Sequence, residues 1–155
     1  MKIAVIGRSE VLFDTLEKMS NNGHEIKLVV TSKEAPEYTK TSSDFEKKAE
    51  ELSASFIYTP KISEELSKIQ AFDDIDIAIS MNYSGIIPQS IIDCFRLGIL
   101  NAHGGDLPKY RGNACQAWAI LNGEEKIGLC IHRMIGGELD SGDIIARDYF
   151  DIDLK

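Results

Sequence analysis

The chain alternates short, wholly apolar runs with longer stretches in which apolar residues recur at three- and four-residue spacing. Residues 2–6 (KIAVI) form the first run, closed by Gly7, and 10–20 place Val11, Leu12, Thr15, Leu16 and Met19 on one helical face. Asn22-Gly23 ends that helix, because the C-terminal turn needs a residue that tolerates positive φ. EIKLVVTS then predicts a buried strand, 43–53 a helix, SFIYTP an extended segment, and 63–71 a helix with Ser63 as N-cap and Glu65 and Leu66 in its first turn. IDIAISM (75–81) reads as a strand buried on both faces, Pro88 opens the helix PQSIIDCF, and LGILNA (97–102) is a further strand. After it, 114–121 (ACQAWAIL) predicts an apolar helix ended by Asn122-Gly123. IGLCIHRM and DIIARDYFDI predict two strands that pair as a hairpin-like ending across a Gly-rich turn. Segment 32–44 is polar and reads as a surface loop.

Strands alternating with helices of this length call for a mainly parallel sheet, since parallel neighbours need crossover connections. The expected fold is a doubly wound α/β domain, and 155 residues suffice for one such domain. With 43% hydrophobic and 27% charged residues the composition is that of a water-soluble globular chain. A net charge of -8 gives no general attraction for phosphate backbones or anionic lipid, which disfavours nucleic acid as a partner. KIAVI is too short for a signal peptide and no run reaches the length of a membrane span. Cys94, Cys115 and Cys130 are odd in number, far apart and free of CxxC spacing, so they predict reduced thiols in a cytoplasmic protein.

Candidate chemistry lies beyond the carboxyl ends of the central strands, where open α/β sheets bind ligands. The first strand-to-helix turn, GRSEVL, keeps only Gly7 of a GxGxxG fingerprint and is a poor dinucleotide site. The loop from Met81 to Pro88 contains Gly85 and can offer backbone groups to a flat heterocycle, or be an ordinary connection. Asn101 and His103 are two apart and project from the same side of an extended chain. An imidazole moves protons near neutral pH and an amide N–H holds an oxyanion, although a histidine at a strand end can equally be structural. Asp140 lies in a turn with Gly136, Gly137 and Gly142; it can orient His103 or simply make the turn. Asn113 reads as the N-cap of the 114–121 helix, Arg111 as a partner for Asp140, an anion ligand or a surface residue, and Trp118 as core. Cys130 and His132 alternate on one strand, and a buried thiol and a strand histidine explain them better than zinc; no metal is expected.

Together these residues resemble the 10-formyltetrahydrofolate-dependent formyltransferase family, whose pattern is Asn-x-His, then Leu-Pro-x-x-Arg-Gly, then Leu-Asp-(Ser/Thr)-Gly-x-Ile. Here the motifs are Asn101-Ala-His103, Leu107-Pro-Lys-Tyr-Arg-Gly112 and Leu139-Asp-Ser-Gly-Asp-Ile144, in the family order and separation. The resemblance implies a Rossmann-like formyltransferase topology, with Asn101, His103 and Asp140 as the catalytic trio. It implies that 10-formyltetrahydrofolate binds through Met81, Tyr83, Gly85, Ile86 and Ile87 on one side and Gly136, Gly137 and Leu139 on the other. The implied reaction is attack of an uncharged amine on the formyl carbon.

Acceptors in the family are initiator methionyl-tRNA, glycinamide ribonucleotide or the amine of a nucleotide-linked sugar. The region 33–50 has no basic insertion to grip tRNA. The His-Gly-Gly-Asp-Leu-Pro-x-Tyr-Arg-Gly-Asn form departs from the Ser-Leu-Leu-Pro that usually follows the histidine in the tRNA and purine enzymes, and is similar to that of sugar N-formyltransferases. That similarity implies a nucleotide-linked amino-deoxy sugar as acceptor, contacted by Gly105 and Arg111, in surface polysaccharide (O-antigen) synthesis, and it is compatible with a homodimer. Family members usually continue into a final helix and a further domain, so residues 1–155 are expected to be a catalytic domain truncated at its C-terminal end, with one sheet face uncovered. A non-catalytic folate-binding regulatory domain and a hydrolase releasing formate are the competing functions.

Overall fold

The computed structural model describes residues 1–153 and contains seven strands in one sheet: β1 (Lys2–Gly7), β2 (Glu25–Thr31), β3 (Ser55–Tyr58), β4 (Ile77–Met81), β5 (Ile99–His103), β6 (Lys126–Arg133) and β7 (Ile144–Asp151). Their order across the sheet is β3-β2-β1-β4-β5-β6-β7. The pairings from β3 to β5 are parallel, and β6 and β7 continue the sheet antiparallel. The connections carry α1 (Glu10–Asn21), α2 (Ser42–Glu51), α3 (Leu66–Gln70), α4 (Gln89–Ile92) and α5 (Cys115–Leu121).

Successive strand residues point to opposite faces, and both faces of the parallel half are covered. On one, Ile3, Val5 and Val29 pack with Leu12 and Leu16 of α1 and Phe45 and Ala49 of α2. On the other, Ala4, Ile6, Leu28 and Val30 pack with Ile62, Ile69 of α3, and Ile91 and Ile92 of α4. The expected doubly wound α/β fold is therefore the observed one. The hairpin-like ending also forms, with β7 as an edge strand none of whose residues is buried.

Local signals held where backbone chemistry is specific. Asn22 and Asn122 are the C-caps of α1 and α5, and Gly23 and Gly123 follow at φ 88 and 74. Three expectations are corrected. Ser63 is not an N-cap: Ile62–Glu65 form a 3₁₀ turn and α3 begins only at Leu66, because the tighter turn carries Ile62 fully into the core. The N-cap of α5 is Ala114, at φ 55, and Asn113 makes no cap bond. Trp118 is 57% exposed, since the buried positions of α5 are Cys115 and Ala119, one helical turn apart and small enough to let α5 sit close to the sheet.

The strand order reverses between β1 and β4, and there the chain packs without space. Gly7 has φ +145, and a Cβ on it would lie 1.9 Å from the Met81 carbonyl oxygen. The next amide, Arg8 N–H, donates to that same oxygen at 3.0 Å.

Candidate active site

Asn101 and His103 end β5 on the same face, paired across the sheet with His132 and Cys130 of β6. The loop after β4 and the turn after β6 rise on either side of them. Asn101, His103 and Asp140 line one cavity of about 150 Å³ with Tyr83, Gly85 and Ile87, at the carboxyl ends of β4 and β5. Ser80, Asn82 and Met134, which sequence reasoning did not single out, also line it, as does Asn113, which the sequence marked only as a helix cap.

The His103 side chain is 9% exposed, and both ring nitrogens meet acceptors. Nδ1 lies 3.3 Å from Asp140 Oδ1, and Nε2 donates to the Tyr110 carbonyl at 2.7 Å. The second carboxylate oxygen of Asp140 accepts the Gly112 N–H at 2.6 Å, which fixes the carboxylate relative to the loop of the Leu-Pro-x-x-Arg-Gly motif. Asp140 itself has φ 46, a left-handed conformation that aspartate tolerates better than most residues. The Cys115 thiol sits 3.5 Å from Nε2 and donates to Gly112 O at 3.3 Å; burial, then the Asp140 charge, push it above its ordinary value, so it is a neutral packing group.

Asn101 is held by a residue that the sequence marked only as a strand histidine. Its Nδ2 donates to His132 Nε2 at 3.2 Å, while His132 Nδ1 donates to Ser141 O at 3.0 Å. His132 is 1% exposed and joins the amide of Asn101 to the turn that carries Asp140. An amide nitrogen has two hydrogens, so one remains for a substrate oxygen.

The remaining sequence candidates divide between the walls and the rim. Tyr83 donates its hydroxyl to Thr59 O at 2.8 Å, and burial pushes its phenol to about 12, so it is a neutral wall. Gly85 lies where a Cβ would be 2.7 Å from Pro60 O, and Ile87 is buried beside it. Ile86 and Leu139 are exposed on the two flanking loops. Gly136 N–H donates to Gln89 Oε1 at 2.9 Å, tying the turn to the start of α4; Gly137, at φ 76, continues that turn. Met81 contributes its carbonyl to the β1 contact rather than lining the cavity. Gly105 is also outside the lining: a Cβ on it would lie 2.8 Å from His103 Nε2 and from Cys115 Cβ, so it clears space behind the imidazole. Arg111 is exposed and makes no ion pair with Asp140 among the described residues; the Gly112 N–H occupies that oxygen instead.

Cys130 and His132 are both buried, as expected of structural strand residues. No group of three or more His, Cys, Asp and Glu side chains is placed to hold a metal ion among the described residues, and no described helix is long and apolar enough to cross a membrane.

Doubly wound α/β proteins with side chains gathered beyond the carboxyl ends of the central strands are a class that binds ligands there. Within that class, a family model described as formyl transferase matches residues 1–155, so the chain belongs to the formyl transferase family. It is 33% identical over 160 residues to the methionyl-tRNA formyltransferase of Rickettsia bellii (strain RML369-C), an alignment covering 100% of this chain and 52% of that protein. The chain thus spans about half the length of the curated relatives it matches. Among solved structures, the phosphoribosylglycinamide formyltransferase of Bacillus halodurans superposes with a TM-score of 0.77 at 18% identity, over 100% of this chain and 82% of that one. The sugar 3N-formyl transferase WlaRD, crystallised in the presence of dTDP and 5-N-formyl-THF, gives a TM-score of 0.71 at 25% identity, over 99% of this chain and 53% of that one.

Proposed function

We propose that this chain carries the site for formyl transfer from 10-formyltetrahydrofolate to a primary amine. The convergence of Asn101, His103 and Asp140 on one cavity, from two separate elements, is the observation that carries this reading. The Tyr83 ring and the Ile87 and Met134 side chains provide apolar wall, which suits a flat pterin, and Gly85 lets the loop pack against the Pro60 carbonyl beside it. The bound folate supplies the formyl carbon and, at N10, the leaving nitrogen.

The residues then divide the chemistry. The lone pair of an uncharged amine forms the new C–N bond while the formyl C=O becomes an oxyanion. Asn101, its amide oriented by His132, donates its remaining N–H to that oxygen. His103 adds a second donor once its Nε2 leaves the Tyr110 carbonyl, and Asp140 holds the ring from the other side. The pair then carries the amine proton towards N10 as the old C–N10 bond breaks. Either His103 or Asp140 can be the formal base.

The curated relatives at about one-third identity are methionyl-tRNA formyltransferases, and this supports methionyl-tRNA as acceptor over an amino sugar. A nucleotide-linked amino sugar is the second reading, supported by the match to WlaRD over 99% of the chain and by the Gly-Gly-Asp-Leu-Pro form of the loop. Gly105 packs behind His103 and Arg111 stands outside the cavity, so support for the sugar from these two residues is weaker than the sequence suggested. Three unpaired thiols fit a cytoplasmic setting.

The test mixes the protein with 10-formyltetrahydrofolate and follows tetrahydrofolate release with methionyl-tRNA, with a dTDP-linked amino sugar, and with neither. Release dependent on one acceptor assigns it. Release with neither points to formate hydrolysis, and binding without release to a folate-binding regulatory domain.

A further inference from the structure

The loop after His103 does not project into solvent but lies across β6 and β7. At Gly128 of β6 a Cβ would be 2.8 Å from both Cα and Cβ of Asp106, so glycine lets the Asp106 backbone rest on the strand. One strand further out stands Arg147. The register places His103, Cys130 and Arg147 in a single row across β5, β6 and β7, and Arg147 reaches back along that row. Its Nη2 donates to Leu107 O at 2.8 Å and its Nη1 lies 3.2 Å from Asp106 Oδ1, which also accepts the Tyr149 hydroxyl at 3.2 Å. The turn so gripped is closed by Tyr110 N–H donating to Asp106 O at 2.9 Å, and the Tyr110 carbonyl is the one that holds His103 Nε2. On its far side Glu124 accepts from the Tyr110 hydroxyl at 2.8 Å and pairs with Lys109.

We infer that Arg147 is a positioning residue for His103, acting through Asp106 and the turn that ends at Tyr110. The inference rests on the reading of His103 as catalytic. An ion pair whose side chains are about one-third exposed contributes little to stability by Coulomb attraction. Its value here is geometric: a guanidinium has donors in a fixed fork, and this one engages a main-chain carbonyl and a carboxylate of the same turn. Arg147 thereby sets where the Tyr110 carbonyl sits, and so how the imidazole is turned before substrate arrives. Asp106 belongs to the Gly-Gly-Asp segment that the sequence singled out, and the structure turns it towards β7 rather than into the cavity.

The experiment compares the intact chain with Arg147→Met, Asp106→Asn and the double variant, with His103→Asn alongside, by NMR of the imidazole nitrogens and by kcat and KM for formyl transfer. Unaltered protein should give a slowly exchanging His103 Nε2–H resonance. Arg147→Met and Asp106→Asn should each lose it and lower kcat by about tenfold with KM little changed, a misplacement effect. The double variant should be no worse than either single one, as expected of residues acting as a unit. Arg147→Lys keeps the charge but not the fork and should fall between. It also guards against a fold that does not tolerate methionine. An unchanged resonance and unchanged kcat in Arg147→Met and Arg147→Lys, or additive losses in the double variant, overturn the inference. Full activity in His103→Asn overturns instead the catalytic reading of His103, and the resonance decides the positioning question in a chain without turnover.

Discussion

At His103 the cavity meets a side chain already held by two acceptors, the Asp140 carboxylate and the Tyr110 carbonyl. Asparagine at 103 keeps a polar side chain but cannot shuttle a proton, so His103→Asn should lower formyl transfer by at least about 10²-fold while folate binding, read by fluorescence quenching, persists. Asp140→Asn should lose activity comparably with little loss of melting temperature, because asparagine accepts the φ of 46 found there. Unaltered rates in both variants would sink the assignment. His132 offers a finer test. Glutamine can accept from Asn101 and donate to Ser141 O as the imidazole does, whereas leucine leaves both groups unpaired. His132→Gln should therefore retain most of kcat, and His132→Leu should lose most of it. The strand period of two made Asn101 and His103 legible as a pair, but the link to Asp140 came from the motif order. His132 and Arg147 were illegible because their partners depend on the antiparallel register of β5, β6 and β7, which no local pattern encodes.

Longer elements follow their signals closely. The helix α2 starts with a capping box: the Thr41 hydroxyl accepts the Asp44 N–H at 3.3 Å and the Asp44 carboxylate accepts the Thr41 N–H at 2.8 Å. Thr41→Ala should cost about 1 kcal/mol in urea unfolding without altering formyl transfer, as loss of an N-cap does. Short helices carried less information. A helix of 7 residues such as α5 has too few turns for an apolar stripe to identify its inward face, so Trp118 looked like core although Cys115 and Ala119 are the buried pair. The 3₁₀ turn before α3 escaped for the same reason.

Across the whole molecule the sheet is fastened at both ends. At the amino ends of the strands, Asp76 accepts the Lys2 N–H at 2.8 Å and pairs with Arg96 at 2.9 Å. The backbone N–H of Lys2 and then the Arg96 guanidinium hold its carboxyl below the usual range. A carboxyl depressed in the folded state stabilises above its unfolded value of about 3.9, and that contribution is lost as pH falls through the folded value. Thermal melts of Asp76→Asn should accordingly lie below those of the unaltered protein at neutral pH, and the gap should close below about pH 4. A gap still open at the acid end would contradict the assignment. The parallel half of this architecture was readable from alternation alone; the depth of the cavity was not, since it depends on where two loops settle over β4 and β5.

At the opposite end, the contact between Gly7, Arg8 and Met81 bears on how such a fold can change its ligand. A dinucleotide carrier of this general shape offers the free amides of its first turn to a pyrophosphate. Here the Arg8 amide is already given to Met81 O, and the Arg8 Nε donates to Asn82 O at 2.7 Å, at the root of the loop that borders the cavity. Grafting phosphate-binding glycines onto the first turn would therefore compete with the anchor of the neighbouring loop, so the two kinds of ligand site are mutually exclusive alternatives for this backbone rather than features that can be combined.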